Sequence, residues 1–146
     1  MTGSAFHRRG FLISGMAGAA LIGAPLVSSK AQGSGDLTAH ALDATVGKPA
    51  DGVVIDLFDV SDGQSRKVGQ ATTNVDGRAG LIAGRPLVVG RYELRFAVGD
   101  YFRKRGTPLG NPAFLDIIPI RIFLHDPAGH YHVPMIFTPW SYAMHG

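Results

Sequence analysis

The chain has 146 residues, with 14 Lys and Arg against 11 Asp and Glu, and no cysteine. That length supports one domain rather than two, and without disulfides the fold must be held by its core, by oligomerisation, or by both. The pI near 9.5 comes from the N-terminus: Arg8, Arg9 and Lys30 precede the first acid, Asp36, and the rest of the chain has 11 bases against 11 acids, which excludes a nucleic-acid-binding charge.

The first element is an address. His7-Arg8-Arg9-Gly10-Phe11-Leu12 places paired arginines ahead of a mildly apolar, Gly- and Ala-rich run from Phe11 to Val27. This run is short for a membrane span, which takes about 20 strongly apolar residues. Ser29-Lys30-Ala31 has the small-x-small form of a cleavage site. The pattern predicts a twin-arginine-type export signal over residues 1–31, an ordinary secretory signal being the alternative, with the export machinery as a partner, a periplasmic mature protein of residues 32–146, and no stable membrane anchor.

The remainder reads as strands broken by Gly, Pro, Asp and Asn. Leu37 to Thr45 is the first, followed by a turn at Gly47-Lys48-Pro49-Ala50-Asp51-Gly52. Val53 to Val60 places Val53, Ile55 and Leu57 on one face and Asp56 on the other. Ser61-Asp62-Gly63-Gln64 turns the chain into a polar strand, Arg66 to Asn74, suited to a sheet edge. Asp76-Gly77 and Gly80 mark another turn. In Gly90 to Val98 the residues Tyr92, Leu94, Phe96 and Val98 alternate with Arg91, Glu93 and Arg95. Gly99 to Arg105 is a short helix with Asp100 as its N-cap. Asp116 to Leu124 is a strand whose Pro119 demands an edge or a bulge. His130 to Thr138 is the last long strand, and Trp140 to His145 a stub. The fold class is all-β: a β-sandwich of seven or eight strands with one short helix, a barrel being the alternative. A doubly wound α/β fold is excluded, because no helix of ten residues separates any strand pair.

The chemistry is concentrated in histidines. His130 and His132 share one face of a strand, with Cα atoms roughly 6–7 Å apart, and His40 lies far away in sequence. Such groups exchange protons or bind metals near neutrality. His125 falls in a loop, and Asp43, three positions from His40, shares no strand face with it.

Leu37-Thr38-Ala39-His40-Ala41-Leu42-Asp43, Thr73-Asn74-Val75-Asp76-Gly77-Arg78, Gly90-Arg91-Tyr92 and His130-Tyr131-His132-Val133-Pro134 occur in that order. Together they resemble the transthyretin-related 5-hydroxyisourate hydrolases, over about Asp36 to Tyr142. The resemblance implies a transthyretin-like sandwich of two four-stranded sheets, assembly into a homotetramer, and opening of the 5-hydroxyisourate ring in urate degradation, a step of purine metabolism, with no cofactor and no metal. It implies that His40, Arg78 and His132 are the catalytic residues, His40 and Arg78 also binding substrate. The roles are chemically apt: a neutral imidazole takes a proton from water, and a guanidinium holds a planar anion and the charge that develops on a carbonyl oxygen. Either histidine suits the base. The family characteristically ends in Tyr-Arg-Gly-Ser, where this chain has Ser141-Tyr142-Ala143-Met144-His145-Gly146. His145 falls about where the family's tyrosine stands, which makes it a further substrate-binding candidate and brings Ser141 and Tyr142 into consideration as site lining. Two other readings compete. One is a three-histidine zinc site. The other is a non-catalytic transthyretin-like binding protein for small molecules.

Overall fold

The computed structural model describes residues 34–145. The export signal expected over residues 1–31 and the last residue, Gly146, lie outside the described residues. Strand β1 (Gly35–Asp43) alternates without a break: Gly35, Leu37, Ala39, Ala41 and Asp43 are buried, while Asp36, Thr38, His40 and Leu42 are half-buried on the other face. It is the organising strand of the first sheet. A two-residue strand, β2 (Lys48–Pro49), and β5 (Arg78–Arg85) run antiparallel along one side of β1. Along its other side runs β8 (His130–Phe137), parallel, and β9 (Tyr142–Met144) closes the sheet antiparallel to β8. The second sheet has the order β4 (Arg66–Thr72), β3 (Val54–Asp59), β6 (Gly90–Phe96), β7 (Ile118–Leu124), all antiparallel.

The inner faces of the two sheets make one core. Leu37, Ala39, Ala41, Val133, Met135 and Phe137 come from the first sheet, and Ile55, Leu57, Leu94, Phe96, Ile118 and Ile120 from the second. Helix α1 (Val98–Lys104) follows β6 and adds Tyr101 and Phe102, which pack edge-to-face with each other and with Phe137 at centroid distances of 5.1–5.6 Å. Each of these buried aromatics contributes about 1.5–3 kcal/mol by leaving water. Asp43 is the one acid aimed inward from β1; Tyr101 Oη donates to it at 3.1 Å, and Thr45 donates to it through both backbone and hydroxyl.

Three local expectations need correction. The stretch around Gly80 is strand β5, not a turn. Gly80 pairs with Thr38 in a bulged ladder and faces open space, so its small size has no local consequence. Asp100 does not cap the helix: Ala97 holds that position without a side-chain cap bond, and Asp100 instead binds Arg103 within the helix at 2.7 Å. The segment Gly47–Gly52 contains the small strand β2. Pro119 does lie on an edge strand, with no bulge in the β6–β7 register. β4 is likewise an edge, as its polarity predicts.

Candidate functional site

The outward face of the first sheet gathers residues that are far apart in sequence. Cross-strand partners share a face. His40 on β1 pairs directly with Arg78 on β5 and stands beside Pro134 on β8, and Thr38 is in register with His132. The His40 and His132 rings are 6.2 Å apart, tilted by 37°. Arg78 and His132 are exposed and His40 half-buried, so this is an open face rather than an enclosed cavity.

Arg78 is set by a turn that the sequence spells out. Asn74 Oδ1 accepts from the backbone N–H of Asp76 and of Arg78, both at 3.0 Å, and the backbone of Asn74 exchanges two further bonds with Gly77 and Arg78. Gly77 takes φ 70° and its carbonyl accepts from Ala41 N–H at 2.8 Å. A Cβ there would collide with the Ala41 carbonyl oxygen, so glycine is required both for its conformation and for the close approach. Thr73, just before the turn, is buried and satisfied, donating to Ala50 O and accepting from Val53 N–H.

His132 is placed by β8. Its Nδ1 lies 2.9 Å from Thr38 Oγ1. Partial removal from water holds its pKa below the usual histidine range, and the charges of Arg78, His40 and His145 act in the same direction. The neutral imidazole is therefore favoured. His145 follows β9, whose pairing with β8 stops at Met135–Met144. The next β8 residue is Pro134, which has no N–H to extend the ladder. His145 is left exposed at the edge of the patch, close enough for its charge to act on His132.

The remaining candidates lie elsewhere. His130 shares the face of His132 but sits toward the strand's start, where its Nδ1 pairs with Asp36 at 3.0 Å. The second imidazole of the cluster is thus His40, not His130. His125 packs edge-on against Tyr131. Ser141 closes the Thr138–Ser141 turn, and Tyr142 pairs with the inward-facing Phe137, away from the patch. Among the described residues no group of three or more His, Asp or Glu is placed to hold a metal ion, so the zinc arrangement has no donor set there. Thr38, part of the first motif, makes a contact that no sequence pattern marks. Its role depends on register with a strand more than ninety positions away.

The patch combines a fixed cation, three imidazoles and no carboxylate among the described residues, since Asp36 is engaged by His130 and Asp43 points into the core. Such a surface suits a planar anion and offers a neutral base beside it.

Comparison with known proteins agrees with this architecture. The chain is 47% identical over 118 residues to a 5-hydroxyisourate hydrolase of Mesorhizobium japonicum, covering 80% of this chain and 94% of that one. It is 44% identical over 111 residues to the 5-hydroxyisourate hydrolase of Ralstonia nicotianae, covering 75% and 95%. Among solved structures, an (S)-allantoin synthase superposes with a TM-score of 0.71 at 39% identity; the match takes in 78% of this chain and 44% of that longer one. The profile of the HIUase/Transthyretin family matches residues 37–146, and the chain belongs to that family.

Proposed function

We propose that this protein hydrolyses 5-hydroxyisourate to 2-oxo-4-hydroxy-4-carboxy-5-ureidoimidazoline. The observation that carries the reading is the meeting of His40, Arg78 and His132 on one sheet face whose one acid on β1, Asp36, is taken up by His130. The names of the similar enzymes support it.

In this scheme Arg78 clamps the anionic ring and faces the carbonyl oxygen that gains negative charge. His132, whose surroundings favour the neutral imidazole, takes a proton from water as the water oxygen bonds to the ring carbonyl carbon. The ring C–N bond then breaks, the leaving nitrogen takes up a proton from the imidazole side of the site, and a carboxylate is released. His40 orients the water or returns the proton, and His145 contacts substrate from the rim. No step calls for a cofactor.

The open face also bears on assembly. Tyr142 and Met144 on the edge strand β9, and Ile136 on the opposite, outward face of β8, are exposed apolar residues. Edge strands of this kind are usually covered, and we take a homotetramer, with further copies walling the patch, as the working form. Export by the twin-arginine-type signal would place it in the periplasm.

The test is the decay of freshly generated 5-hydroxyisourate, followed spectroscopically. The wild-type protein should accelerate it far beyond buffer, and His132→Ala and Arg78→Ala should not. Equal decay in all samples would leave a non-catalytic small-molecule carrier as the better account. Sedimentation at micromolar concentration tests the assembly; a monomer alone would count against a site walled by partner copies.

A further inference from the structure

Thr38 stands on the same face of β1 as His40, directly in register with His132. Its hydroxyl oxygen is 2.9 Å from Nδ1 of His132 and 3.3 Å from the carbonyl oxygen of Tyr131. A hydroxyl has one hydrogen to give and lone pairs to receive, whereas a carbonyl oxygen can only accept. With the hydroxyl hydrogen on the Tyr131 carbonyl, the Thr38 oxygen meets Nδ1 as an acceptor, and Nδ1 must carry the ring hydrogen. In the reverse arrangement the hydroxyl donates into Nδ1, the Tyr131 carbonyl loses its hydroxyl donor, and the ring hydrogen moves to Nε2.

The surroundings favour the first arrangement. Among the described residues no protein acceptor is hydrogen-bonded to Nε2. The side chains that act on this ring are Arg78, His40 and His145, and none is a carboxylate. The nitrogen left to a positive field is better off presenting a lone pair than an N–H. We propose that Thr38 is a positioning residue that holds His132 as the Nδ1–H tautomer, leaving the Nε2 lone pair to receive a proton from the attacking water. The tautomer rests on the Tyr131–Thr38–His132 hydrogen-bond geometry together with the lack of a carboxylate beside the ring, and the step with water rests on the hydrolytic reading above. The role is one that backbone carbonyls and carboxylates play for other working imidazoles, where the partner of one ring nitrogen decides what the other can do.

The experiment separates the two halves. Protein carrying 15N-labelled histidine is examined by two-bond 1H–15N correlation at a pH where His132 is neutral, as wild type, Thr38→Val and Thr38→Ser. Valine keeps the shape and strand preference of threonine and removes the acceptor; serine keeps the hydroxyl. The expected result is a protonated Nδ1 and a bare Nε2 in the wild type and in Thr38→Ser, and a mixed or reversed tautomer in Thr38→Val. In parallel, Thr38→Val should lower kcat for 5-hydroxyisourate by about tenfold or more, inside the roughly 10²–10⁴-fold that a positioned base supplies. KM should change by less than about twofold, and Thr38→Ser should restore kcat. A wild-type His132 protonated at Nε2, or a tautomer that Thr38→Val leaves unaltered, overturns the proposal. So does a shifted tautomer with unchanged kcat. If the tautomers respond as expected but the wild-type protein decays substrate no faster than buffer, the hydrolytic reading fails while the Thr38 assignment stands.

Discussion

The two outward faces of the sandwich use charge in opposite ways. On the second sheet each acid that faces outward is matched. Lys67 Nζ meets Asp56 at 2.8 Å, and Glu93 is gripped by Arg95 at 2.7 Å and Arg121 at 2.6 Å. Arg95 also lies over the Phe58 ring at 3.9 Å. Glu93 is almost fully covered by its partners, with 5% of its side chain exposed, and they hold its carboxyl below the usual range. On the first sheet the corresponding face has Arg78, His40, His132 and His145 with no acid among them. The difference teaches where each region places its binding capacity. Charges on the second sheet are spent on one another, whereas on the first only Asp36 is paired, with His130, and Arg78, His40, His132 and His145 meet no acid among the described residues.

Substitutions should therefore split cleanly. The largest effect is expected on the first sheet: Arg78→Ala or His132→Ala should lower kcat by roughly 10²–10³-fold, the usual cost of removing a group that stabilises developing charge or moves a proton. Because both side chains are exposed and Arg78 makes no ion pair among the described residues, thermal unfolding should move by no more than about 0.5 kcal/mol in stability. A large loss of stability in either variant would blur the distinction between the faces.

Gly77→Ala should do both kinds of damage. The left-handed backbone and the approach to the Ala41 carbonyl put the cost at about 1–3 kcal/mol. Since the turn sets Arg78, activity should fall further than stability alone explains. Activity and unfolding measured on the same preparation check this, and full activity at permissive temperature would show that the turn does not position the guanidinium.

Glu93→Gln reverses the pattern: activity kept, stability lowered by about 1–2 kcal/mol, less than a fully buried ionic hydrogen bond because Arg121 remains 75% exposed. The pH dependence follows from sign. The Glu93 carboxyl has a lower pKa folded than unfolded, so its contribution is present above the unfolded carboxylate value of about 4.3 and is lost as pH falls through the lower folded one. The stability gap between wild type and Glu93→Gln, measured by denaturant unfolding, should close over that acid range and stay constant above it.

Much of this division could be read in the sequence, for reasons specific to each element. β3 and β6 alternate because one face is buried, and their inward residues are those the pattern picks out. β4 is polar because it is an edge. β5 escaped because Gly80 and Gly84 resemble turn residues, and its pairing with β1 is bulged, so no clean alternation survives. Glu93 reads as an ordinary solvent-facing acid; that two arginines cover it is set by its own strand and by β7, twenty-eight positions on. At the site, His40, Arg78 and His132 were legible through the motifs' resemblance to a family, not through spacing. The register of β1 with β5 and β8 brings them together, and Thr38 comes into view only with that register.

The smallest effect tests the electrostatics of the first face. His132 should titrate, by NMR, below the usual histidine value of about 6.5, because it is partly withdrawn from water and surrounded by Arg78, His40 and His145. Its neutral form, the one that accepts a proton, then persists as pH falls past that value, and activity should decline only on a limb lying more acidic. Arg78→Gln keeps a side chain of similar reach but removes the charge, so the His132 midpoint should rise. His145→Ala should raise it less, since that charge contributes least of the three. Salt should also raise it, because added ions screen exposed charges over about 8–10 Å. No comparable salt shift is expected for Glu93, whose partners touch it directly. If Arg78→Gln and salt both left the His132 midpoint where it was, the unmatched cation would not be felt at the imidazole, and the contrast between the two faces would lose its electrostatic content.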